Sequence, residues 1–280
     1  MKKYVIMLIL PFLIILTGCE GTIYRTIYNS LDFIIYRSVA KYIDPDRGQE
    51  RAIRAAIGSF LRWHRSVELA NYAETLRGLE TRMVAGLAGS DLAWLRGRFE
   101  RHRDDLFNAI AKDTSEILAS LRAEQIDRLD RRMGERLAEM EKAMQSPDRR
   151  EESARSVVRA MEFIYGPLTA RQVEEITRGV GTMEDIEAAR IRMFRERRGE
   201  FIALLRAGPG SAAIREYMAR IALDPEGSYP DYYREAAARR DRKAAEGFLL
   251  FDREMVTPEQ RNHAVEKIRL LAGVLDELRG

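Results

Sequence analysis

The sequence predicts an all-α protein, an elongated multi-helix bundle of long antiparallel amphipathic helices. Three observations carry this. Ala, Leu, Glu and Arg dominate, and charged residues make up 32% of the 280 residues, the composition of long helices. No stretch alternates apolar and polar residues, so nothing argues for a half-buried strand. Pro and Gly, finally, punctuate the chain into segments whose apolar residues recur every three or four positions.

Taken in order, a first helix is expected over 22–42, with Tyr24, Ile27, Tyr28, Leu31, Ile34, Ile35, Val39 and Tyr42 on one face. Its tyrosines are expected in the bundle; the other place that suits them is a membrane interface. Asp44-Pro45 breaks this helix, and a long one follows to about Gly86 with Ile53, Ile57, Phe60, Leu61, His64, Leu69, Tyr72 and Leu76 inward. Gly89-Ser90 opens a third helix, from Asp91 towards Ser120. The fourth, from Leu121 to about Gln145, carries the clearest apolar stripe, and Glu124 with Arg128 and Asp127 with Arg131 have the favourable i to i+4 order on its other faces. Ser146-Pro147, Gly166-Pro167, Gly179 to Gly181, Gly208-Pro209-Gly210 and Asp224-Pro225 delimit four more helices. A ninth is expected over 231–255 and a tenth from Thr257 almost to the end. No fixed period marks a solenoid.

Before the first helix lies a different kind of segment. Lys2 and Lys3 precede an apolar run from Tyr4 to Leu16 that is broken by Pro11. A bilayer-spanning helix needs roughly 20 apolar residues, so this run has the length of a signal-peptide core. It ends in Leu16-Thr17-Gly18-Cys19, which resembles the lipobox of bacterial lipoproteins. That resemblance implies cleavage between Gly18 and Cys19 and lipid attachment at Cys19. The expected organisation is a signal peptide over 1–18, a lipidated N-terminus and tether over 19–21, and a helical periplasmic domain over 22–280. Two or three acyl chains hold a protein stably on a membrane, where one does not. The residue after the cysteine is Glu20 rather than the aspartate of the enteric retention signal. By resemblance this implies the outer membrane, facing the periplasm, ahead of the inner membrane.

Composition excludes several functions. Removing residues 1–18 takes away two lysines and no acid, which lowers the formal net charge from +3 to +1. Such a balanced chain has no electrostatic reason to seek nucleic acid. Cys19 is the only cysteine, so acylation leaves no thiol for a disulfide, a metal or catalysis. Arginine outnumbers lysine 40 to 7, which reads mostly as genome composition rather than a binding signal; arginine also pairs well with carboxylates on helix faces. No Gly-rich phosphate loop appears, so no nucleotide is expected, and no cofactor beyond the covalent lipid.

Three helix starts look alike: Leu121-Arg122-Ala123-Glu124-Gln125, Leu168-Thr169-Ala170-Arg171-Gln172 and Val256-Thr257-Pro258-Glu259-Gln260. In the last two, Thr169 and Thr257 cap the helix, and Gln172 and Gln260 reach back to the cap's own N–H. Pro258 stands at the first helical position, where its missing donor costs nothing. The apolar residue before each threonine could staple to Val173 or Arg261, the second a poor fit. Leu-Thr-x-x-Gln motifs resemble those of the Spy and CpxP type of periplasmic chaperone, which implies a concave surface that holds unfolded clients. A resemblance over most of the chain is to an uncharacterised family of all-helical bacterial lipoproteins. It rests on Tyr28-Asn29-Ser30-Leu31-Asp32, Trp63-His64-Arg65 and Thr257-Pro258-Glu259-Gln260-Arg261-Asn262-His263-Ala264, while Pro45-Asp46-Arg47-Gly48 departs from that family's usual Leu-Thr-Pro-Glu.

Three histidines, His64, His102 and His263, fall in three helices. His64 has Glu68 one turn on, and His263 lies near Glu259 and Glu266, but neither group has the ligand set of a zinc site. No Gly-x-Ser-x-Gly elbow is present. The expectation is therefore no catalytic residue, no metal and no enzyme; a hydrolase using His64 or His263 is the minority reading. Met133, Met140, Met144, Met161, Met193 and Met218 are expected to fill the core, the alternative being an adaptable groove. The expected role is chaperone-like or adaptor binding of envelope polypeptides. A second reading is a structural lipoprotein that packs on a membrane partner through helix 22–42.

Overall fold

The computed structural model describes residues 26–279. Gly18, Cys19, Tyr24 and the signal and tether assignments lie outside them. Among the described residues there are eleven α-helices and no strand. A helical turn at 26–29 leads into α1 (Leu31–Ile43), followed by α2 (Arg47–Trp63), a single π-helical turn (His64–Glu68), α3 (Leu69–Val84), α4 (Gly89–Ala119) and α5 (Ala123–Met144). The second half holds α6 (Arg149–Tyr165), α7 (Ala170–Gly181), α8 (Glu187–Ala207), α9 (Ser211–Leu223), α10 (Asp231–Glu254) and α11 (Pro258–Arg279).

The punctuation places most helix ends as expected, but the helix expected over 22–42 is broken at Ser30, ahead of α1, and a second expected helix is divided as well. The helix predicted as one rod to Gly86 is interrupted by the π turn, where the Leu69 N–H bonds the His64 carbonyl. A widened turn leaves carbonyls short of partners. Here the Ser66 hydroxyl supplies one, donating to Arg62 O at 2.9 Å.

α3 runs against α11 in the most extensive helix pairing of the fold. Ala73 and Ala264 are fully buried and Ala272 nearly so, and small residues let backbones approach. Leu69, Val274, Leu275 and Leu278 fill the seam together with Tyr28; full burial of one such leucine contributes about 2 kcal/mol. The Arg269–Glu80 pair at 2.7 Å and the Arg77–Asp276 pair flank it.

A second cluster joins α1, α2, α5, α8 and α9 through Ile43, Ile53, Ile57, Ile126, Leu129, Ile202, Leu205 and Ile214. Met83, Tyr165, Ile176, Phe251 and Ile268 form a third, and Ile186, Met193, Tyr233 and Ala237 a fourth. The methionines divide among them. Met133 and Met218 pack on the α1–α9 cluster, Met161 on the third, and Met193 lies in the fourth. These four therefore fill separate cores, while Met140 and Met144, half-buried, belong to none of the four clusters.

Arginine pairs widely with carboxylates, but across helices more than the sequence suggests. Arg128 reaches Asp44 at 3.2 Å and Asp127 receives Arg206 at 2.9 Å, in place of the expected partners Glu124 and Arg131. The reason is geometric: α1 and α8 pack beside α5, and a long guanidinium reaches a neighbouring helix as easily as its own next turn. Exposed pairs of this kind contribute about 0–1 kcal/mol each.

Candidate functional site

The three family-like motifs and the Gln-bearing helix starts converge on two junctions and one buried network. The first junction is a pair of glutamines. Gln172, at the start of α7, and Gln260, at the start of α11, are 88 residues apart and face each other as an amide dimer. Gln172 Nε2 donates to Gln260 Oε1 at 2.7 Å, and Gln260 Nε2 donates to Gln172 Oε1 at 3.0 Å. Each Oε1 also accepts its own N-cap N–H, from Thr169 at 2.8 Å and Thr257 at 3.1 Å. The second amide proton of each goes to the carbonyl two residues before the partner's cap, Met255 for Gln172 and Pro167 for Gln260, both at 2.8 Å. Thr169 and Thr257 accept the N–H of Gln172 and Gln260, completing both capping boxes. Two helix corners are thus clasped with every amide donor and acceptor used.

The same clasp occurs once more, and its second member had no matching motif. Gln125 at the start of α5 pairs with Gln49 of α2, by 2.7 Å and 3.1 Å bonds across 76 residues. Their oxygens accept the N–H of Arg122 and Asp46, and their nitrogens donate to Asp44 O and Ser120 O. Ser120 and Asp44 again lie two residues before a cap. The segment that departs from Leu-Thr-Pro-Glu therefore keeps the function of the motif with other residues. Asp46 replaces threonine as the cap, accepting from Gly48 and Gln49, and bonds Arg122 across the corner at 2.5 Å. The Gln49 N–H and the Arg122 guanidinium hold the Asp46 carboxyl below the usual carboxylate range. The signal for Gln49 was an acidic cap three residues before a glutamine, the general form of a capping box.

Beside the Gln172–Gln260 clasp sits Asp252, fully buried. Tyr165 Oη donates to it at 2.8 Å, the Leu87 N–H at 2.9 Å and Arg261 Nη1 at 3.2 Å. Burial, with Asp252 as the next cause, pushes the Tyr165 hydroxyl far above its ordinary value. Arg261 therefore does not staple to Val256; it also donates to Met83 O at 3.1 Å and Asp252 O at 2.7 Å. His263, one of the two proposed catalytic histidines, is exposed, and its ring lies against Gly166.

Gly166 has φ 77° and ψ −165°, a region open essentially to glycine alone. A Cβ there would also lie 3.3 Å from the His263 ring. Gly166→Ala is expected to cost about 1–3 kcal/mol, read as a lower urea midpoint. An unchanged midpoint would mean that this corner is not held as described.

The buried network surrounds the π turn. Tyr28 Oη lies 2.9 Å from His64 Nδ1, and Arg65 Nη2 donates to Asn29 Oδ1 at 2.8 Å. Tyr28-Asn29 and His64-Arg65, from two separate motifs, therefore meet residue against residue. Glu68 is fully buried, but its partner is not His64. His102 Nδ1 contacts Glu68 Oε1 at 2.7 Å, and Asn71 Nδ2 donates to Glu68 Oε2 at 3.1 Å. The Tyr72 ring stands edge-on between the two histidines, 5.6 Å from His64 and 4.7 Å from His102. Burial raises the Tyr72 hydroxyl well above its ordinary value, with the Glu68 charge adding to it. Burial likewise lowers His64 to about 4, against a smaller opposing pull from Glu68.

Thr75 Oγ1, His102 Nε2, His102 Nδ1 and Glu68 Oε1 follow one another at 2.8 and 2.7 Å, the order of a hydroxyl, imidazole and carboxylate triad. The hydroxyl is already engaged: it contacts Asn71 O at 2.9 Å and accepts from Arg98 Nε at 2.9 Å. Thr75, His102 and Glu68 are all buried. Among the described residues no three His, Cys, Asp or Glu side chains converge as a metal-binding group. Nor is any helix there long and apolar enough to cross a membrane.

A family of unknown function, DUF6279, matches residues 41–234. The chain belongs to DUF6279. The match spans α2 to the start of α10, so it includes Gln49, Gln125 and Gln172, His64, Glu68 and His102. Thr257 to Ala264, and with it Gln260, falls beyond the DUF6279 match. No curated protein and no solved structure matches the chain.

Proposed function

We propose that this DUF6279 member is a lipid-anchored envelope protein that binds other polypeptides, as a chaperone-like holder or an adaptor, without catalysing a reaction. The anchor rests on Leu16-Thr17-Gly18-Cys19 behind a short apolar run, and the location that goes with it is the periplasmic face of the outer membrane. What supports binding over chemistry is the employment of the reactive side chains. His102, Glu68, Asp252 and Thr75 are each bonded to groups of the protein itself and withdrawn from solvent.

Metabolic labelling with a palmitate analogue is expected to mark the protein and to leave Cys19→Ser unmarked. The domain lacking residues 1–19 is expected to suppress aggregation of an unfolded client at equal molar ratio. Failure of the first removes the anchor; failure of the second removes the holder role. The structural-lipoprotein reading draws support from α1, which keeps Phe33 and Ile34, 55% and 47% exposed, outside the bundle.

A further inference from the structure

The face that α1 turns inward is the tyrosine-bearing one. Ile35, Tyr36, Val39, Tyr42 and Ile43 pack into the α1–α9 core, and Tyr28 and Leu31 into the α3–α11 seam. The opposite face is a stripe of Phe33, Ile34, Arg37 and Lys41, all exposed, spaced to share one side of the helix. Arg37 lies over the Phe33 ring at 5.5 Å. The only acid of α1, Asp32, sits off this stripe, about a quarter of a turn behind Phe33. Two bulky apolar side chains interleaved with two cations are the residue types that settle an interfacial helix among anionic headgroups.

Reach agrees with that chemistry. Six residues lie between Cys19 and Thr26, the first described residue, and the seven steps from one to the other span at most about 25 Å. The start of α1 therefore cannot leave the neighbourhood of a lipid held on Cys19. Size argues against a protein partner on this stripe, since a specific protein interface takes about 800 Å² from each side, far more than two side chains offer. A shallow lipid contact needs no such area once acyl chains hold the protein down.

We propose that Phe33, Ile34, Arg37 and Lys41 seat α1 on the anionic surface of the bilayer to which Cys19 is attached. The proposal rests on the acylation reading and adds to it an orientation for the bundle. Cys19 is the only cysteine and is consumed by the lipid, so an introduced cysteine takes a fluorescent label selectively. The full acylated protein is reconstituted into vesicles of phosphatidylethanolamine and phosphatidylglycerol that contain brominated lipid. Labels are placed by Phe33→Cys and Ile34→Cys and, for comparison, by Val84→Cys and Leu270→Cys, positions 64% and 45% exposed on α3 and α11. The expected result is several-fold stronger quenching at 33 and 34 than at 84 and 270. Equal quenching at all four, or none at 33 and 34, overturns the proposal, including the case in which this stripe serves a protein partner absent from the vesicles. Mass spectrometry of the N-terminal peptide separates the two failures. Acyl chains present without quenching overturn the seating alone, whereas their absence overturns the acylation reading and the seating with it.

Discussion

Gln172→Glu, which exchanges one NH2 group for an oxygen, is expected to destabilise the protein by about 3–5 kcal/mol at pH 7. Both protons of the Gln172 amide are in use, one on Gln260 Oε1 and one on Met255 O. The carboxylate would aim negative charge at two acceptors in a site only 2% exposed. Turning over the Gln260 amide does not repair this. Its NH2 would then meet the new carboxylate, but it would also face the Thr257 N–H, and its oxygen would face Pro167 O. Urea unfolding followed by circular dichroism measures the loss. Gln172→Met and Gln260→Met, singly and together, supply a double-mutant cycle with an expected coupling of about 1–3 kcal/mol. An unaltered midpoint in Gln172→Glu, or additive single effects, would show that the amide dimer does not hold the corners.

The second large effect is acid sensitivity through His64. Its folded value is about 4, against 6.5 for the free side chain, because burial disfavours the imidazolium. The unfolded chain therefore binds more protons than the folded one between those values, and stability falls as pH drops through that window. The contribution is complete above pH 6.5 and is lost towards pH 4. At 1.36 kcal/mol per pH unit it amounts to roughly 3 kcal/mol. Tyr28 Oη is 2.9 Å from Nδ1, and an imidazolium, with a proton on both nitrogens, can only donate to it.

His64→Phe keeps a ring against Phe60 and Tyr72, whose centroids lie 5.5 and 5.6 Å from the imidazole. It is expected to cost about 1–2 kcal/mol at pH 7.5 through loss of the Tyr28 hydroxyl's bond to the ring. In exchange it flattens the decline between pH 6.5 and 4.5 relative to the native protein. Carboxylate titrations elsewhere are common to both proteins, so the difference in slope belongs to His64. Parallel pH curves would mean that folding does not shift the titration of His64.

The helices were legible because each depends on neighbours in sequence. Apolar spacing names the buried side, and Pro, Gly and capping residues name the ends. Two of the four clasp glutamines, Gln172 and Gln260, carry capping boxes with a threonine cap and stand out for that reason. Gln125 could be grouped with them by its spacing. Gln49 is missed because its cap is Asp46 in place of threonine, although Asp-x-x-Gln is itself a capping-box pattern; what no local pattern shows is the Asp46 bond to Arg122, 76 positions away.

His64 and Glu68 looked like partners at one turn's spacing. The π turn alters that register, and Glu68 goes to His102, 34 residues on. Arg261 read as a poor staple because its role depends on Asp252 and Met83, which local spacing does not bring to it.

By itself the sequence determined an all-helical chain with ten punctuated segments, balanced charge, a single cysteine behind a signal-like run, and helix starts that carry their own caps. Tertiary structure alone decided that those caps clasp in pairs and that His64 and His102 enter a closed network. A periodic pattern encodes which side of a helix shuns water. It does not encode the surface that side will meet, and a polar side chain satisfied across 30 to 90 residues leaves no local trace.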